Sequence, residues 1–290
     1  MSTGFGPPPY KVAYRWGVSQ LKLASVKEPT SQAYYLLPAE SSGHRASLPA
    51  ETERMPLSEW LCFVRRIVRR ARGEPVQYIK GWTEFYSLPL RVSPDVLIPR
   101  PETEILVEGL LARLDDLPIG PICDIGTGSG AVVISLAHHL QGRRFAATDI
   151  SRKALQVAKK NAASLDVQDR IDWLCGSLFA PVGDMRFAAV VSNPPYIRSD
   201  QVSTLSKEVR QNEPRIALDG GEDGLQLIRE IVCRAPKHLK LGGLLALEVG
   251  HGQAAATKNL CRKHFGSSAK ITTDKDLAGI ERVVFCEHVE

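Results

Sequence analysis

The feature that most constrains this chain is a regular alternation of strand-like and helix-like segments after residue 118. Short runs rich in apolar and β-branched residues are separated by segments with helical spacing, such as residues 130–140 and 153–163. This alternation predicts an α/β fold, in which a mostly parallel sheet carries helices on both faces. The last two strands have no helix between them, so we expect that pair to be antiparallel. The predicted strands are Pro121–Ile125, Arg144–Asp149, Ile171–Cys175, Phe187–Ser192, Leu244–Val249, Lys270–Thr273 and Arg282–Cys286.

The residues before this alternation predict smaller elements. An amphipathic helix is predicted over residues 56–72, because apolar residues recur at helical spacing on one face while arginines occupy the other. Gly73 and Pro75 are typical of the end of a helix. Residues 82–98 predict a β-hairpin, and a helix should follow over Thr103–Leu114. The apolar set of the first helix is Trp60, Leu61, Val64, Ile67, Val68 and Ala71, and the basic set is Arg65, Arg66, Arg69, Arg70 and Arg72.

We therefore expect three parts along the chain. Residues 1–80 should form a small helical domain whose first fifty or so residues are irregular, apart from a short helix at Ser31–Leu37. Residues 81–100 should form a β-hairpin linker, and residues 101–290 should form the α/β domain. A chain of 290 residues is long enough for one large domain and one small one.

The positive charge is concentrated near the N-terminus. Residues 1–100 contain 14 Lys and Arg against 8 Asp and Glu, a net charge of +6, whereas residues 101–290 have a net charge of −1. Two interpretations of the arginine-rich helix face remain open: a solvated surface, or attraction to an acidic partner or a ribonucleoprotein.

Composition argues against several classes of protein. No apolar run reaches the roughly 18 residues of a membrane span, and the N-terminus lacks the pattern of a secretory signal. The cysteines are far apart without a C-x-x-C pair, so we expect reduced core thiols and no metal site. The six are Cys62, Cys123, Cys175, Cys233, Cys261 and Cys286.

A glycine-rich segment, Asp124-Ile-Gly126-Thr-Gly128-Ser-Gly130, follows the first predicted strand and opens a helix. Asp149 ends the next strand, about twenty residues further on, where a carboxylate can accept hydrogen bonds from both hydroxyls of a ribose. A dinucleotide site and a purely structural turn are the alternatives. Asp124 favours S-adenosylmethionine, because a carboxylate can hold a cationic amino group but would repel a pyrophosphate.

A second motif, Asn193-Pro194-Pro195-Tyr196, follows the predicted strand Phe187–Ser192. Ligands of open α/β sheets bind at the carboxyl ends of strands, so this tetrapeptide should lie beside the glycine-rich segment. The Asn193 side-chain oxygen and the Pro194 carbonyl oxygen can accept both hydrogens of a planar NH2 group, and Tyr196 offers a flat apolar surface. We therefore predict methyl transfer to an amide or aromatic amine nitrogen. A strand-end turn without function is the alternative.

Both motifs together resemble the amino-methyltransferases of the seven-stranded Rossmann-like class. The resemblance narrows to the HemK/PrmC family, the peptide chain release factor N5-glutamine methyltransferases, and runs from about Pro56 to the C-terminus. Four further stretches carry it: Leu97-Ile-Pro-Arg-Pro-Glu-Thr-Glu104, Glu213-Pro-Arg-Ile-Ala-Leu-Asp-Gly-Gly-Glu-Asp-Gly-Leu225, Leu247-Glu-Val-Gly-His-Gly-Gln253 and Asp276-Leu-Ala-Gly-Ile-Glu-Arg-Val283.

The resemblance implies a helical N-terminal domain, a hairpin linker and a catalytic domain that uses S-adenosylmethionine. It implies that the substrate is the glutamine of the Gly-Gly-Gln loop of a class 1 release factor. Ser177-Leu178-Phe179 departs from the family, which often has an acid and an aromatic residue before the Phe. The implied cofactor contacts are Asp124, Gly126, Thr127, Gly128, Ser129, Gly130, Asp149, Leu178 and Asn193, and the implied substrate contacts are Asn193, Pro194, Pro195, Tyr196, Arg100 and Glu102.

Two other functions compete with this interpretation. A nucleic-acid amino-methyltransferase could grip an exocyclic amine of adenine or guanine with the same tetrapeptide, although no insert for base flipping is visible. A cofactor-binding module without catalysis is the third reading, against which the intact tetrapeptide argues. The interpretation favours a monomer that needs no direct nucleic-acid contact, in a bacterial-type cytoplasm or, in a eukaryote, the mitochondrion.

Overall fold

The computed structural model describes residues 6–38 and 53–289, and the chain divides into two compact units. The smaller unit contains the chain up to Gly81 together with Lys207–Asn212, and the larger unit contains Trp82–Ser206 and Glu213–Glu290. The helices are α1 Tyr10–Leu23, α2 Pro29–Tyr35, α3 Leu57–Ala71, α4 Val76–Lys80, α5 Glu104–Leu111, α6 Ala131–His139, α7 Arg152–Ser164, α8 Ser199–Val202, α9 Lys207–Asn212, α10 Gln226–His238 and α11 Ala254–Phe265.

The smaller unit is helical, but its N-terminal part is more regular than the sequence predicts. The expectation of an irregular first fifty residues is wrong for the described part, because α1 and α2 occupy 21 of those positions. The short helix predicted at Ser31–Leu37 lies slightly earlier, at Pro29–Tyr35. Helix α1 buries Tyr10, Ala13, Gly17 and Leu21, and two of these are too small to produce a visible apolar stripe.

Helix α3 is present as predicted, but its buried face differs from the predicted one. Phe63, Ile67 and Arg70 are buried, whereas Leu61 and Val68 are exposed. Arg70 is buried because its guanidinium finds acceptors within the same unit: the Gln32 side chain, the Glu74 carbonyl oxygen at 3.0 Å and the Glu208 carboxylate at 2.6 Å.

The predicted β-hairpin is formed by β1 (Trp82–Phe85) and β2 (Leu88–Arg91), which pair antiparallel. The other strands make one seven-stranded sheet in the order β5-β4-β3-β6-β7-β9-β8. They are β3 Ile122–Ile125, β4 Phe145–Asp149, β5 Ile171–Cys175, β6 Phe187–Ser192, β7 Leu239–Glu248, β8 Ile271–Lys275 and β9 Glu281–Glu287.

The sheet confirms the predicted α/β fold. Strands β3 to β7 are parallel, and β9 runs antiparallel to both β7 and β8. The apolar core lies on both faces of this sheet, between the strands and the helices. Strand order reverses between β4 and β6, which both flank β3, so the carboxyl ends of these three strands open a crevice for a ligand.

Three sequence expectations concern what the chain lacks. No helix of the described residues has the length and apolar character to cross a membrane. Within the same residues, no three His, Cys, Asp or Glu side chains are placed to hold a metal ion. The six cysteines are free thiols, and the core location predicted for them applies to Cys123, Cys261 and Cys286; Cys62 is half-buried, and Cys175 and Cys233 are exposed.

Candidate active site

The glycine-rich segment connects β3 to α6 and turns sharply at the sheet edge. The amides of Gly126 and Thr127 both donate to the Thr148 carbonyl oxygen of β4, at 2.9 and 3.0 Å. Gly126 and Gly128 have φ values of 72° and 57°, and a β-carbon on either would lie within 4 Å of no atom of the described residues beyond its chain neighbours. These two glycines therefore leave the backbone open to a ligand. Gly130 differs, because a β-carbon there would lie 2.6 Å from Ile134 Cδ1 of α6.

Asp124 lies at the base of this turn and is 2% exposed. Its Oδ2 accepts a hydrogen bond from the Thr127 hydroxyl at 2.7 Å. Burial raises the pKa of Asp124 to about 7, against the opposing effects of the hydrogen bonds from Thr127 and the Val133 backbone. No Lys, Arg or His side chain among the residues that the structure describes forms an ion pair with Asp124, so its buried charge has no cation to compensate it.

Asp149 ends β4 beside the turn. Its two oxygens accept hydrogen bonds from the backbone amides of Gly128 at 2.9 Å and Ser151 at 2.8 Å. Burial raises the pKa of Asp149, and these hydrogen bonds oppose the shift. A carboxylate has about four acceptor positions, so each oxygen can accept one further hydrogen bond. The next residue, Ile150, is apolar and 57% exposed.

These groups border a cavity of about 250 Å³, and most of the predicted site residues line it. The predicted residues that line it are Asp124, Gly126, Thr127, Gly128, Ser129, Asp149, Leu178, Asn193, Pro194 and Pro195. Four predicted residues are not part of this lining: Gly130, Tyr196, Arg100 and Glu102. The lining residues that the sequence analysis missed include Thr103, Thr148, Ile150, Ser177, Ile216 and Ile231.

The tetrapeptide follows β6 directly, and Asn193 is held by a residue distant in sequence. Asn193 Nδ2 donates to the Thr103 hydroxyl oxygen at 2.9 Å. Because the amino group of Asn193 points to Thr103, its Oδ1 is left for another donor. Among the described residues, no donor occupies Asn193 Oδ1 or the Pro194 carbonyl oxygen. Two acceptors are thus available beside the cavity.

Tyr196 is held by two stretches of the chain that carried the family resemblance without an assigned role. Gln253 Nε2 donates to the Tyr196 carbonyl oxygen at 2.9 Å and to the Gly224 carbonyl oxygen at 3.3 Å. Gly224 has a φ of 73°, and a β-carbon there would lie 2.4 Å from the carbonyl oxygen of Tyr196. The Tyr196 hydroxyl donates to Glu248 Oε1 at 3.4 Å, and burial raises the pKa of Tyr196 to about 12.

An ion pair between Arg100 and Glu213 stabilises the segment that carries Thr103. Arg100 Nη2 lies 2.5 Å from Glu213 Oε1, and Glu213 Oε2 accepts the Ile98 amide at 3.3 Å. Glu213 is buried, while the Arg100 side chain is 31% exposed. The arginine of the Arg-Pro-Glu-Thr stretch thus has a structural partner next to the site. Thr103 belongs to the same stretch, which was the sequence signal that could have identified it.

Comparison with known proteins identifies families that two parts of this chain match. Residues 101–221 match the family described as Methyltransferase small domain, and residues 13–81 match the PrmC N-terminal domain. The second match corrects the expectation that the resemblance begins near Pro56, since it also covers α1 and α2. A methyltransferase from Pyrococcus furiosus has the same fold, with a TM-score of 0.52 at 16% identity, over 71% of this chain and 91% of that one.

Two relatives show to which family this chain belongs. The release factor glutamine methyltransferase of Moorella thermoacetica is 45% identical over 84% of this chain and 87% of its own length. The protein of the same name from Caulobacter vibrioides is 36% identical over 91% of both chains. Identity at this level over nearly whole chains includes both the helical unit and the catalytic unit. The chain therefore belongs to the release factor glutamine methyltransferase family.

Proposed function

We propose that this chain transfers a methyl group from S-adenosylmethionine to the side-chain amide nitrogen of the glutamine in the Gly-Gly-Gln loop of a class 1 release factor. The observation that carries the proposal is the pair of available acceptors, Asn193 Oδ1 and the Pro194 carbonyl oxygen, beside a cavity that begins at the glycine turn. The names of the relatives supply the release factor as the substrate class.

The residues of the cavity fit S-adenosylmethionine. An ammonium group near Asp124 would offset the burial that raises the pKa of this carboxyl to about 7. The open backbone at Gly126 and Gly128 leaves room for the amino-acid portion, and the remaining acceptor positions of Asp149 suit two ribose hydroxyls. Leu178 and Ile150 supply apolar contact for a flat ring. When bound, S-adenosylmethionine supplies an electrophilic methyl group on a positively charged sulfur.

Thr127 and Ser129 line the same cavity and complete the proposed cofactor set together with Asn193. Gly130 belongs to this set through its backbone, and a β-carbon there would lie 2.6 Å from Ile134 Cδ1. Leu178 has a φ of 49°, an uncommon conformation for a residue with a side chain. Its apolar surface takes the place of the acid and aromatic residue that the family often has.

The proposed role of the tetrapeptide is to make a weak nucleophile react. An amide nitrogen is planar and its lone pair is delocalised, so it must be held in a defined orientation to react. Asn193 Oδ1 and the Pro194 carbonyl oxygen would accept its two N–H hydrogens, and they would also stabilise the positive charge that develops on nitrogen. Pro195 stiffens the Pro194 carbonyl. As the new N–C bond forms, the methyl–sulfur bond would break and its electron pair would stay on sulfur, which would leave as a neutral thioether. The nitrogen needs no base before the attack, because it can lose a proton to water afterwards.

Tyr196, Arg100 and Glu102 complete the proposed substrate contacts at the mouth of the site. The Tyr196 ring is half-buried and suits the flat amide of a glutamine. Arg100 retains donors beyond its bond to Glu213. We also propose a monomer that acts without direct nucleic-acid contact, in the cytoplasm of a bacterial-type cell, where a release factor would be available.

The test is mass spectrometry of a release factor after incubation with the enzyme and S-adenosylmethionine, beside parallel incubations with DNA and RNA. We expect one added methyl group on the glutamine of the Gly-Gly-Gln loop. Asn193→Ala should abolish transfer while leaving cofactor binding largely intact, because it removes one of the two acceptors. Label found only in nucleic acid, or wild-type activity in Asn193→Ala, would contradict the proposal.

A further inference from the structure

Glu248 is a buried carboxylate directly beside the tetrapeptide. It is the last residue of β7 and is 1% exposed. In the parallel pairing of β6 with β7, Ser192 lies opposite Leu247, so the chain positions of Asn193 and Glu248 are neighbours at the same sheet edge. Glu248 is not part of the cavity lining, so it is placed behind the site rather than in it.

No cation within the described residues pairs with Glu248. Arg282 lowers its pKa from a distance but is bound to Asp276 at 2.8 Å. Oε1 accepts the Tyr196 hydroxyl at 3.4 Å, while the buried Oε2 has no partner at hydrogen-bond distance in the described part of the chain. A buried carboxylate with so little compensation is costly, which suggests a role other than stability.

Thr103 links Glu248 to Asn193. The structure gives no hydrogen bond of normal length between the Thr103 hydroxyl and Glu248, but the hydroxyl is near enough to lower the pKa of this carboxyl as a donor. The same hydroxyl oxygen accepts the hydrogen bond from Asn193 Nδ2 at 2.9 Å. A hydroxyl has a single hydrogen. If that hydrogen is directed to a carboxylate, which can only accept, the hydroxyl can meet Asn193 only as an acceptor.

This restriction decides which end of the Asn193 amide faces the substrate. With the NH2 group directed to Thr103, Oδ1 faces away and can accept a substrate N–H. Without an acceptor at position 248, the Thr103 hydrogen could bond to Oδ1 instead, and the amide could turn over. Asn193 would then present NH2 to the NH2 of the substrate, and the two donors could not bind each other.

We propose that Glu248 is a positioning residue that, by accepting from Thr103 and Tyr196, holds Asn193 with Oδ1 toward the reacting amide. The inference rests on the proposed function, because it assumes that the reacting group is an NH2. Thr103 is the intermediary, and neither Thr103 nor Glu248 is assigned a bond to the reacting nitrogen.

The kinetic test compares Glu248→Gln, Thr103→Val and the double variant in release factor methylation. Glu248→Gln is nearly isosteric but no longer obliges Thr103 to donate. We expect kcat to fall about 10- to 100-fold, with unchanged KM for the release factor and unchanged cofactor affinity. Thr103→Val should cause a similar loss, and the double variant should lose little more.

One matched control keeps a hydroxyl at position 103, and the other alters a carboxylate away from the tetrapeptide. Thr103→Ser retains the hydroxyl and should retain most activity. Glu281→Gln alters a carboxylate that is bound to Lys258 and Thr273 in the same unit, and should leave kcat unchanged. Wild-type kcat in Glu248→Gln, or losses that add fully in the double variant, would overturn the proposal.

A second readout needs no methyl transfer. The charged and titratable groups around Glu248 are Glu102, Tyr196 and Arg282, and burial dominates, raising the pKa of Glu248 to about 7. NMR of protein labelled with ¹⁵N at asparagine should show the Asn193 side-chain NH2 signals shifting with a midpoint near pH 7. The shift should vanish in Glu248→Gln and persist in Glu281→Gln. It should also persist in Asp124→Asn, which removes another carboxyl whose pKa burial raises to about 7.

These two readouts separate the proposals. If wild-type enzyme fails to methylate a release factor but the Asn193 signals titrate through Glu248, the proposed function fails and the positioning role stands. If the enzyme is active and the Asn193 signals do not titrate in the wild type, the positioning role fails and the proposed function stands.

Discussion

Asp124 shows how a single buried side chain can indicate the charge of a ligand. It is 2% exposed, and its partners in the protein are hydroxyl and backbone donors. Burial of the charged form raises its pKa to about 7. Relative to an unfolded pKa of about 3.8, ionisation therefore destabilises the folded protein as the pH rises from about 4 to 7. A cationic ligand would reverse this effect.

We predict that S-adenosylmethionine binds more tightly as the pH rises toward 7. Below its pKa Asp124 is mostly protonated and has no charge to offer, so binding should weaken up to about tenfold per pH unit below 7. Asp124→Asn should bind weakly and lose this pH dependence. Isothermal titration calorimetry between pH 5.5 and 7 measures both effects.

The control for this prediction is Asp172→Asn. Asp172 is an exposed carboxylate on β5 that pairs with Arg144. It should retain the affinity and the pH dependence of the wild type. Equal cofactor affinity at pH 5.5 and pH 7 in the wild type would contradict the assignment of Asp124.

At the residue scale, local patterns predicted those residues of the candidate site that lie near a strand end. Asp149 ends β4, Asn193 follows β6 and Asp124 is the last residue but one of β3, and the topology brings these strand ends together. Thr103 and Gln253 could not be placed in this way, because their contacts join residues 90 and 57 positions apart. Such contacts depend on how distant segments pack, which local periodicity does not encode.

At the scale of elements, the sheet was predictable, whereas in the helical unit α3 was predicted and α1 was missed. The strands are short apolar runs between recognisable turns, so their positions differ from prediction by a few residues, except that β7 begins earlier, at Leu239. Helix α1 was missed because Gly17 occupies its buried face. A β-carbon there would lie 2.6 Å from Phe63 Cζ, so close packing with α3 requires the smallest residue at a position where pattern analysis expects a large apolar one.

Arg70 provides a prediction about helix α3 and the smaller unit. Its charge is satisfied by Gln32, Glu74 and Glu208, all within that unit. Arg70→Met keeps the aliphatic stem but leaves these acceptors without a donor. We expect the free energy of unfolding of the unit to fall by about 2–3 kcal/mol. Urea unfolding followed by the fluorescence of Trp16 and Trp60, with Trp82 and Trp173 replaced by Phe, measures this change.

Arg69→Met is the matched control for Arg70→Met on the same helix. Arg69 is exposed and pairs with Glu74 at the surface, so its loss should cost less than about 1 kcal/mol. Equal losses for the two variants would show that the buried network around Arg70 contributes nothing beyond a surface ion pair.

At the scale of the whole molecule, charge is distributed unequally along the chain. Residues 1–100 have a net charge of +6 and residues 101–290 have one of −1. Only some of the arginines in and just after α3 contribute to this excess as exposed positive charge. Arg70 is buried and Arg66 donates to the carbonyl oxygens of Leu36 and Leu37, whereas Arg65 and Arg72 are exposed. Whether this face is a solvated surface or attracts an acidic partner therefore depends on the exposed arginines.

We predict that Arg65 and Arg72 attract the release factor before it reaches the active site. The double variant Arg65→Glu/Arg72→Glu should raise KM for the release factor about 3- to 10-fold at low salt and leave kcat unchanged, because steering affects encounter rather than chemistry. The dependence of KM on salt should also become shallower, since screening then has less attraction to remove. As a control, Lys159→Glu/Lys160→Glu reverses two exposed charges on α7 and should change neither value. If the salt dependence of KM in the α3 variant equals that of the wild type, the arginines form only a solvated face.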